Sequence, residues 1–265
     1  GKGGRAGFSA LMMDVLPSLD TIEKGQCFPF YLYEKASPQN SLLDGVEEQD
    51  GYHRRHAITE AGLAYFQEAY LGETITREDI FHYVYGLLHS EEYLHRYRTN
   101  LTKGLPRIPC VKSPSAYRAF REAGRHLEKL HVDYESQSKY DQVRVNITDR
   151  ERPPEKLYHV AKMRHPGVGR KKDRSKVIYN DALTIEGIPE AAWEYVINGK
   201  PALSWVMERQ GVKTHKASGI VSDANRYAIE TVQDPRYPLD LFLRIITVSL
   251  ETMKIVRALP ALEID

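Results

Sequence analysis

Ten histidines and two cysteines are the side chains from which a metal centre or a nucleophile would have to be assembled. His53 and His56 have the spacing of a metal pair, but no acidic or cysteine partner follows at a suitable interval. His82, His89 and His95 fall among aromatic and charged residues of expected helices, where ordinary hydrogen bonding accounts for them. Glu91 and Glu92 are adjacent, so on a helix they point apart. They suit a helix N-terminus better than a metal. Cys27 and Cys110 form neither a metal spacing nor a disulfide framework, which points to a reduced, cytoplasmic protein. "GKGGRAG" at the start lacks a Gly-Lys followed by Ser or Thr. No nucleophile elbow or dinucleotide fingerprint appears either. The sequon at Asn146 stands in a chain with no secretion signal. The expected catalytic set is empty.

Binding chemistry gives a stronger signal. Lys162, Arg164, Arg170, Lys171, Lys172, Arg174 and Lys176 crowd one glycine-punctuated stretch, opposed by Asp173 alone, in a chain whose net charge is only +1. Like charges repel, so such a loop is at ease in water or beside an anion. Gly167 and Gly169 let its backbone follow a contoured surface. Further along stand Lys213, Lys216 and Arg226. With them come side chains able to reach base edges: Gln210, Ser218, Ser222 and Asn225. Cations alone give affinity for a polyanion without preference, and polar side chains in a groove add the preference. The arginine side of an expected 115–132 helix, Arg118, Arg121 and Arg125, is a second basic surface.

The elements that must position these residues change character along the chain. Residues 1–50 read as an extended or strand segment around "QCFPFYLYEK" and an acidic loop, Ser37 to Gly51. Residues 51–135 read as helical. Thr59 precedes one helix, Thr76 with Asp79 forms a capping arrangement before a second, and Ser90 starts a third. Three prolines interrupt residues 103–114, and a long helix follows from Ser115. Residues 136–265 read as mixed α/β. "VRVNI", "KLYHVAKMR", "KVIYND" and "LTIEGI" look like strands. Pro189 opens a helix that Asn198-Gly199 ends, "ALSWVMERQG" is a short helix, and a long apolar helix closes the chain. Strands on either side would make the 162–176 loop a hairpin tip, and a basic β-ribbon fits a DNA groove. The expected fold class is α+β, a helical N-terminal half packed with a mixed α/β half. No apolar run reaches membrane-spanning length. The missing initial methionine suggests a segment of a longer polypeptide.

These residues resemble the C-terminal specificity region of Type ISP restriction–modification enzymes. The similar stretches are "FSALMMDVLPSL", "QCFPFYLYE", "ITREDIFHYVYGLLHSEEYLHRYRTNLTKGLPRIP" and, most specifically, "DRSKVIYNDALTIEGIPEAAWEYVINGKPALSWVMERQGVKTHKASGIVSDAN". "SDAN" at Ser222–Asn225 departs from the "NDPN" of the family pattern. The resemblance implies a module that recognises a short duplex DNA sequence and positions it for an upstream adenine methyltransferase and helicase/nuclease of the same polypeptide. S-adenosylmethionine, ATP and Mg would then belong to those upstream domains, with no cofactor in this chain. Two other readings stay open at this point: a protein–protein docking module that does not touch DNA, and a stand-alone nuclease.

Overall fold

The computed structural model describes residues 7–18, 21, 25–35, 48–49, 51–167, 169 and 172–264. It is α+β, and it divides into two compact units. The first holds the described residues of Met12–Glu128 and Ala258–Asp265. The second holds those of Gly4–Leu11 and Lys129–Arg257.

In the first unit, β1 (Tyr31–Lys35), β2 (Glu48–Gln49) and β3 (Tyr52–His56) form an antiparallel sheet in the order β1-β3-β2. Helices α1 (Glu60–Ala69), α2 (Arg77–Leu87), α3 (Glu91–Arg96) and α4 (Arg98–Leu101) follow, then α5 (Pro114–Val132), within which the division falls. Local chemistry sets the helix starts. Thr59 Oγ1 accepts from Gly62 N at 3.1 Å. Thr76 and Asp79 satisfy each other's backbone in a capping box, and Ser90 caps α3. Gly86 of α2 and Gly124 of α5 mark where these helices cross. A methyl group at either would collide with backbone of the other helix, at Phe120 O and His82 O respectively.

The tyrosine-rich composition has a structural use here. Tyr70, Tyr83 and Tyr93 are fully buried, and their hydroxyls donate to Val111 O, Pro109 O and Arg107 O, each at 2.7 Å. The proline-interrupted stretch cannot pair as a strand, so three tyrosines satisfy its carbonyls instead.

The second unit contains β4 (Arg144–Ile147), α6 (Pro154–Leu157), β5 (Lys176–Ile178), β6 (Leu183–Glu186), β7 (Val196–Ile197), β8 (Lys200–Pro201), α7 (Ala202–Arg209), β9 (Val212–Thr214), β10 (Val221–Asp223), α8 (Ala224–Tyr227) and α9 (Tyr237–Arg257). Its larger sheet runs β4-β6-β5, antiparallel throughout. Val177 and Ile185 of that sheet belong to one buried cluster with Phe242 and Ile246 of α9. No helix among the described residues is long and apolar enough to cross a membrane.

Two expectations fail in this unit. "KLYHVAKMR" is not a strand: Leu157 ends a single helical turn, and only an isolated bridge joins Arg164 to Ile178. The apolar residues there, Leu157, Val160 and Met163, recur every three positions and all point inward. The stretch after Pro189 is one 3-10 turn, Glu190–Trp193. Asn198-Gly199 does not end a helix. Both residues have positive φ, 49° and 72°, and they close the two-residue hairpin β7–β8. Ser9 Oγ accepts from Asn198 N at 2.8 Å and fixes that turn.

Candidate nucleic-acid interface

The loop Lys162–Lys176 is not a hairpin tip. β5 pairs with β6, so the ribbon expected on either side does not form. The Arg164–Ile178 bridge closes the loop, with N···O distances of 3.0 and 2.8 Å. Inside it, Asp173 accepts from Ser175 N at 2.9 Å and from Ser175 Oγ at 2.6 Å, while Trp193 Nε1 donates to Arg174 O. Those bonds from Ser175 hold the Asp173 carboxyl below the usual carboxylate range. Lys162, Arg164, Lys172 and Arg174 are exposed. Lys176 pairs with Glu186 at 3.3 Å. Arg170 and Lys171 lie outside the described residues, as does most of the Ser37–Gly51 loop. A concavity of about 650 Å³ beside the loop is lined by Lys172 and Arg174 together with Asp173 and Glu190, so its charge is mixed.

The exposed ribbon lies elsewhere, at β9–β10. Its register pairs Thr214 with Val221, Lys213 with Ser222 and Val212 with Asp223, and His215 N donates to Ile220 O at 2.8 Å. Every residue from Val212 to Ser222 is exposed, and none is acidic. Alternation along the strands puts Lys213, His215, Ile220 and Ser222 on one face and Val212, Thr214 and Val221 on the other. His215 Nε2 lies 3.4 Å from Ser222 Oγ on the first face. The tip, Lys216 to Gly219, turns at Gly219, whose φ is 70°. Ser218 sits there, with its Oγ 3.4 Å from Ile220 N.

Asn225 is not a reader on this surface. It is buried, and its amide is fully engaged. Oδ1 accepts from Val160 N at 2.8 Å, while Nδ2 donates to Val160 O at 2.9 Å and to Asp223 Oδ1 at 2.8 Å. Val212 N donates to Ala161 O at 2.9 Å, and a methyl group on Gly211 would press against that same oxygen. Tyr179 Oη and Asn180 Nδ2 reach the carbonyls of Tyr158, Leu157 and His159. The irregular Leu157–Lys162 stretch is thus held by side chains and by the foot of the hairpin. These bonds bring the two basic stretches together, Lys162 and Arg164 on one and Lys213 and Lys216 on the other.

The remaining candidates fall differently. Arg226 is exposed, but Glu230 accepts from its Nε at 2.9 Å. Gln210 ends α7 with Oε1 buried and without a hydrogen-bond partner, so its amide is turned partly inward. The arginine side of α5 is largely neutralised. Arg118 pairs with Glu73. Arg121 and Arg125 each lie 3.5 Å from Asp79, and both also pair with Glu122. Among the described residues no group of three or more His, Cys, Asp or Glu is placed to hold a metal ion. Sequence reading passes over His215 and Thr214. Their signal is the alternating "VKTH" and "IVSD" flanking a turn glycine.

Comparison with families and solved structures gives these positions a context. A family model described as the Type ISP C-terminal specificity domain matches residues 1–241. Comparison with curated proteins found no match. Among solved structures, the chain is similar to the ATP-dependent Type ISP restriction-modification enzyme LlaBIII bound to DNA, with a TM-score of 0.81 and 36% identity over 99% of this chain. It is similar to a DrdV–DNA complex, with a TM-score of 0.78 and 34% identity over 98% of this chain. It also matches a nuclease-deletion mutant of the Type ISP enzyme LlaGI in complex with a DNA substrate mimic, with a TM-score of 0.62 and 42% identity over 74% of this chain. The chain spans 15% of the LlaBIII and LlaGI chains and 24% of the DrdV chain.

Proposed function

The chain belongs to the family of Type ISP C-terminal specificity domains, and from that premise we propose that it recognises a short duplex DNA sequence through the β9–β10 hairpin. The observation that carries this reading is the hairpin itself: a ribbon exposed and without acidic residues from Val212 to Ser222, clamped at its foot by Asn225 and Val212 to a second basic stretch. A two-stranded ribbon fits the major groove, where each base pair presents a distinct pattern of donors and acceptors.

Lys213, His215 and Ser222 form the reading face, with Ser218 at the tip. Lys162, Arg164, Lys172, Arg174 and Lys216 take phosphates and fix the register. Arg170 and Lys171 extend that phosphate set, and Lys176 and Arg226 join it by exchanging their carboxylate partners for phosphate. Gln210 supports the hairpin foot, and Asn225 holds the surface together. Catalysis belongs to other parts of the polypeptide: an adenine methyltransferase that flips its base out of the duplex, and a helicase/nuclease. S-adenosylmethionine, ATP and Mg serve those parts. The setting is the cytoplasm.

Fluorescence anisotropy on target and scrambled duplexes over a series of salt concentrations tests the reading. Lys213→Ala with Lys216→Ala should weaken binding and flatten the salt dependence by about 0.9 in slope for each phosphate no longer held. Unchanged affinity and slope would remove the hairpin from the interface.

A further inference from the structure

On the reading face of the β9–β10 hairpin one side chain has no polar chemistry. Continuing the register one pair beyond Thr214–Val221 places Ile220 opposite His215, whose N–H donates to Ile220 O at 2.8 Å. Ile220 is 62% exposed. Exposure alone asks for nothing, since isolated apolar side chains are common on protein surfaces. Its place is what matters. The His215 ring, its direct cross-strand neighbour, reaches back to Ser222 Oγ at 3.4 Å and leaves Ile220 open. Gly219 before it offers no side chain, and a methyl group there would meet nothing within 4 Å. Among the described residues β10 pairs with β9 alone, so no third strand shields the face. The Ile220 backbone is held on both sides, because Ser218 Oγ also accepts from Ile220 N at 3.4 Å. A β-branched side chain has restricted rotamers. Ile220 is thus a stiff apolar knob among Lys213, His215 and Ser222.

The inference rests on the recognition reading above and deepens it. With the ribbon in a major groove, Lys213, His215 and Ser222 meet the donors and acceptors of base edges. Against such an edge an apolar knob strips water from a polar group and returns no hydrogen bond. Thymine is different. Its 5-methyl group is the one apolar group that a standard base pair shows in that groove, and covering it buries apolar surface on both sides. We propose that Ile220 reads thymine, so that the recognised sequence carries a T·A pair at the position it faces. Strand residues two apart are separated by about 6.8 Å and stacked base pairs by about 3.4 Å, which puts this thymine within roughly two base-pair steps of the pair that Ser222 reads.

Selection from a random pool of duplexes by the intact polypeptide gives the preferred sequence, and each thymine in it is then replaced singly by uracil. Uracil keeps the pairing edge and loses only the methyl group. Anisotropy should find one replacement that weakens the parent by about four-fold, the worth of one methyl-sized apolar contact. Ile220→Ala should bind the thymine and uracil forms of that duplex equally, because the methyl group then has nothing to touch. A selected sequence with no thymine, uracil replacements that all leave the parent unchanged, or a loss that Ile220→Ala shares in full would each overturn the proposal. Lys213→Ala with Lys216→Ala tells two levels of failure apart. If that variant binds weakly while uracil has no effect, the hairpin stays on the DNA and only the role of Ile220 falls. If it binds as the parent does, the recognition reading itself fails and takes the inference with it.

Discussion

At the scale of single residues, Asn225 and Ser222 separate two kinds of contribution. Asn225 looks in the sequence like a base reader, since an amide can pair with adenine. In the fold that amide is spent on Val160 N, Val160 O and Asp223, so its role is to hold two basic stretches together. Asn225→Ala leaves a buried donor and acceptor unpaired and should cost about 2–3 kcal/mol of stability, read by thermal or denaturant unfolding. DNA binding should then fall on all sequences alike. Ser222 projects from the hairpin, so Ser222→Ala should leave stability within about 0.5 kcal/mol. It should cost about 1–3 kcal/mol of discrimination at one position of the target, read by titrating single-base variants of the duplex. A linear reading cannot tell these cases apart. Both are polar residues beside cations, and only tertiary packing decides which is buried.

At the scale of elements, caps and turns are legible and sparsely buried strands are not. Thr59, Thr76–Asp79 and Ser90 start helices through bonds to residues three positions on, which a linear reading can see. The β9–β10 hairpin buries nothing from Val212 to Ser222, so its signal is only the short alternation of "VKTH" and "IVSD" about a turn glycine. The Leu157–Met163 stretch has apolar spacing but takes its backbone partners from distant side chains, so it reads as a strand without being one. Asn198-Gly199 carries a hairpin signal that the preceding apolar residues obscure.

The foot of the hairpin should also respond to acid. Burial alone would raise the Asp223 carboxyl. Hydrogen bonds from the Asn225 side chain and from the backbone of Asn225 and Arg226 outweigh it, and the pKa falls below its ordinary 3.8. A depressed carboxyl stabilises the fold above its unfolded value and loses that contribution as pH drops through the folded one. The protection of amides at Ala224–Tyr227, relative to their intrinsic exchange rate, should therefore fall below about pH 4, and Asp223→Asn should reduce that acid response. In the first unit, Arg121→Ala should destabilise by about 1 kcal/mol, because the largely buried Asp79 loses a cation partner. It should leave duplex binding unchanged, since that arginine surface is already neutralised from within.

At the scale of the whole molecule, the charge is concentrated rather than abundant. The net charge is only +1, yet Lys162, Arg164, Lys172, Arg174, Lys213 and Lys216 are exposed and make no ion pair among the described residues. If the five assigned to phosphates, all but Lys213, meet them, the logarithm of affinity should fall with the logarithm of salt at a slope of about −4.5 or steeper. With those six cations set aside the rest of the chain is net acidic and gains little from random DNA, which suits a module that must discriminate. The most direct test of that account places a photoreactive side chain at Ser218 or at Arg118 in the intact polypeptide and irradiates each with the duplex target. The account predicts crosslinks from Ser218 to a fixed base position in the target and none from Arg118. Crosslinks from Arg118 without any from Ser218 would contradict it and move the DNA to the helical unit.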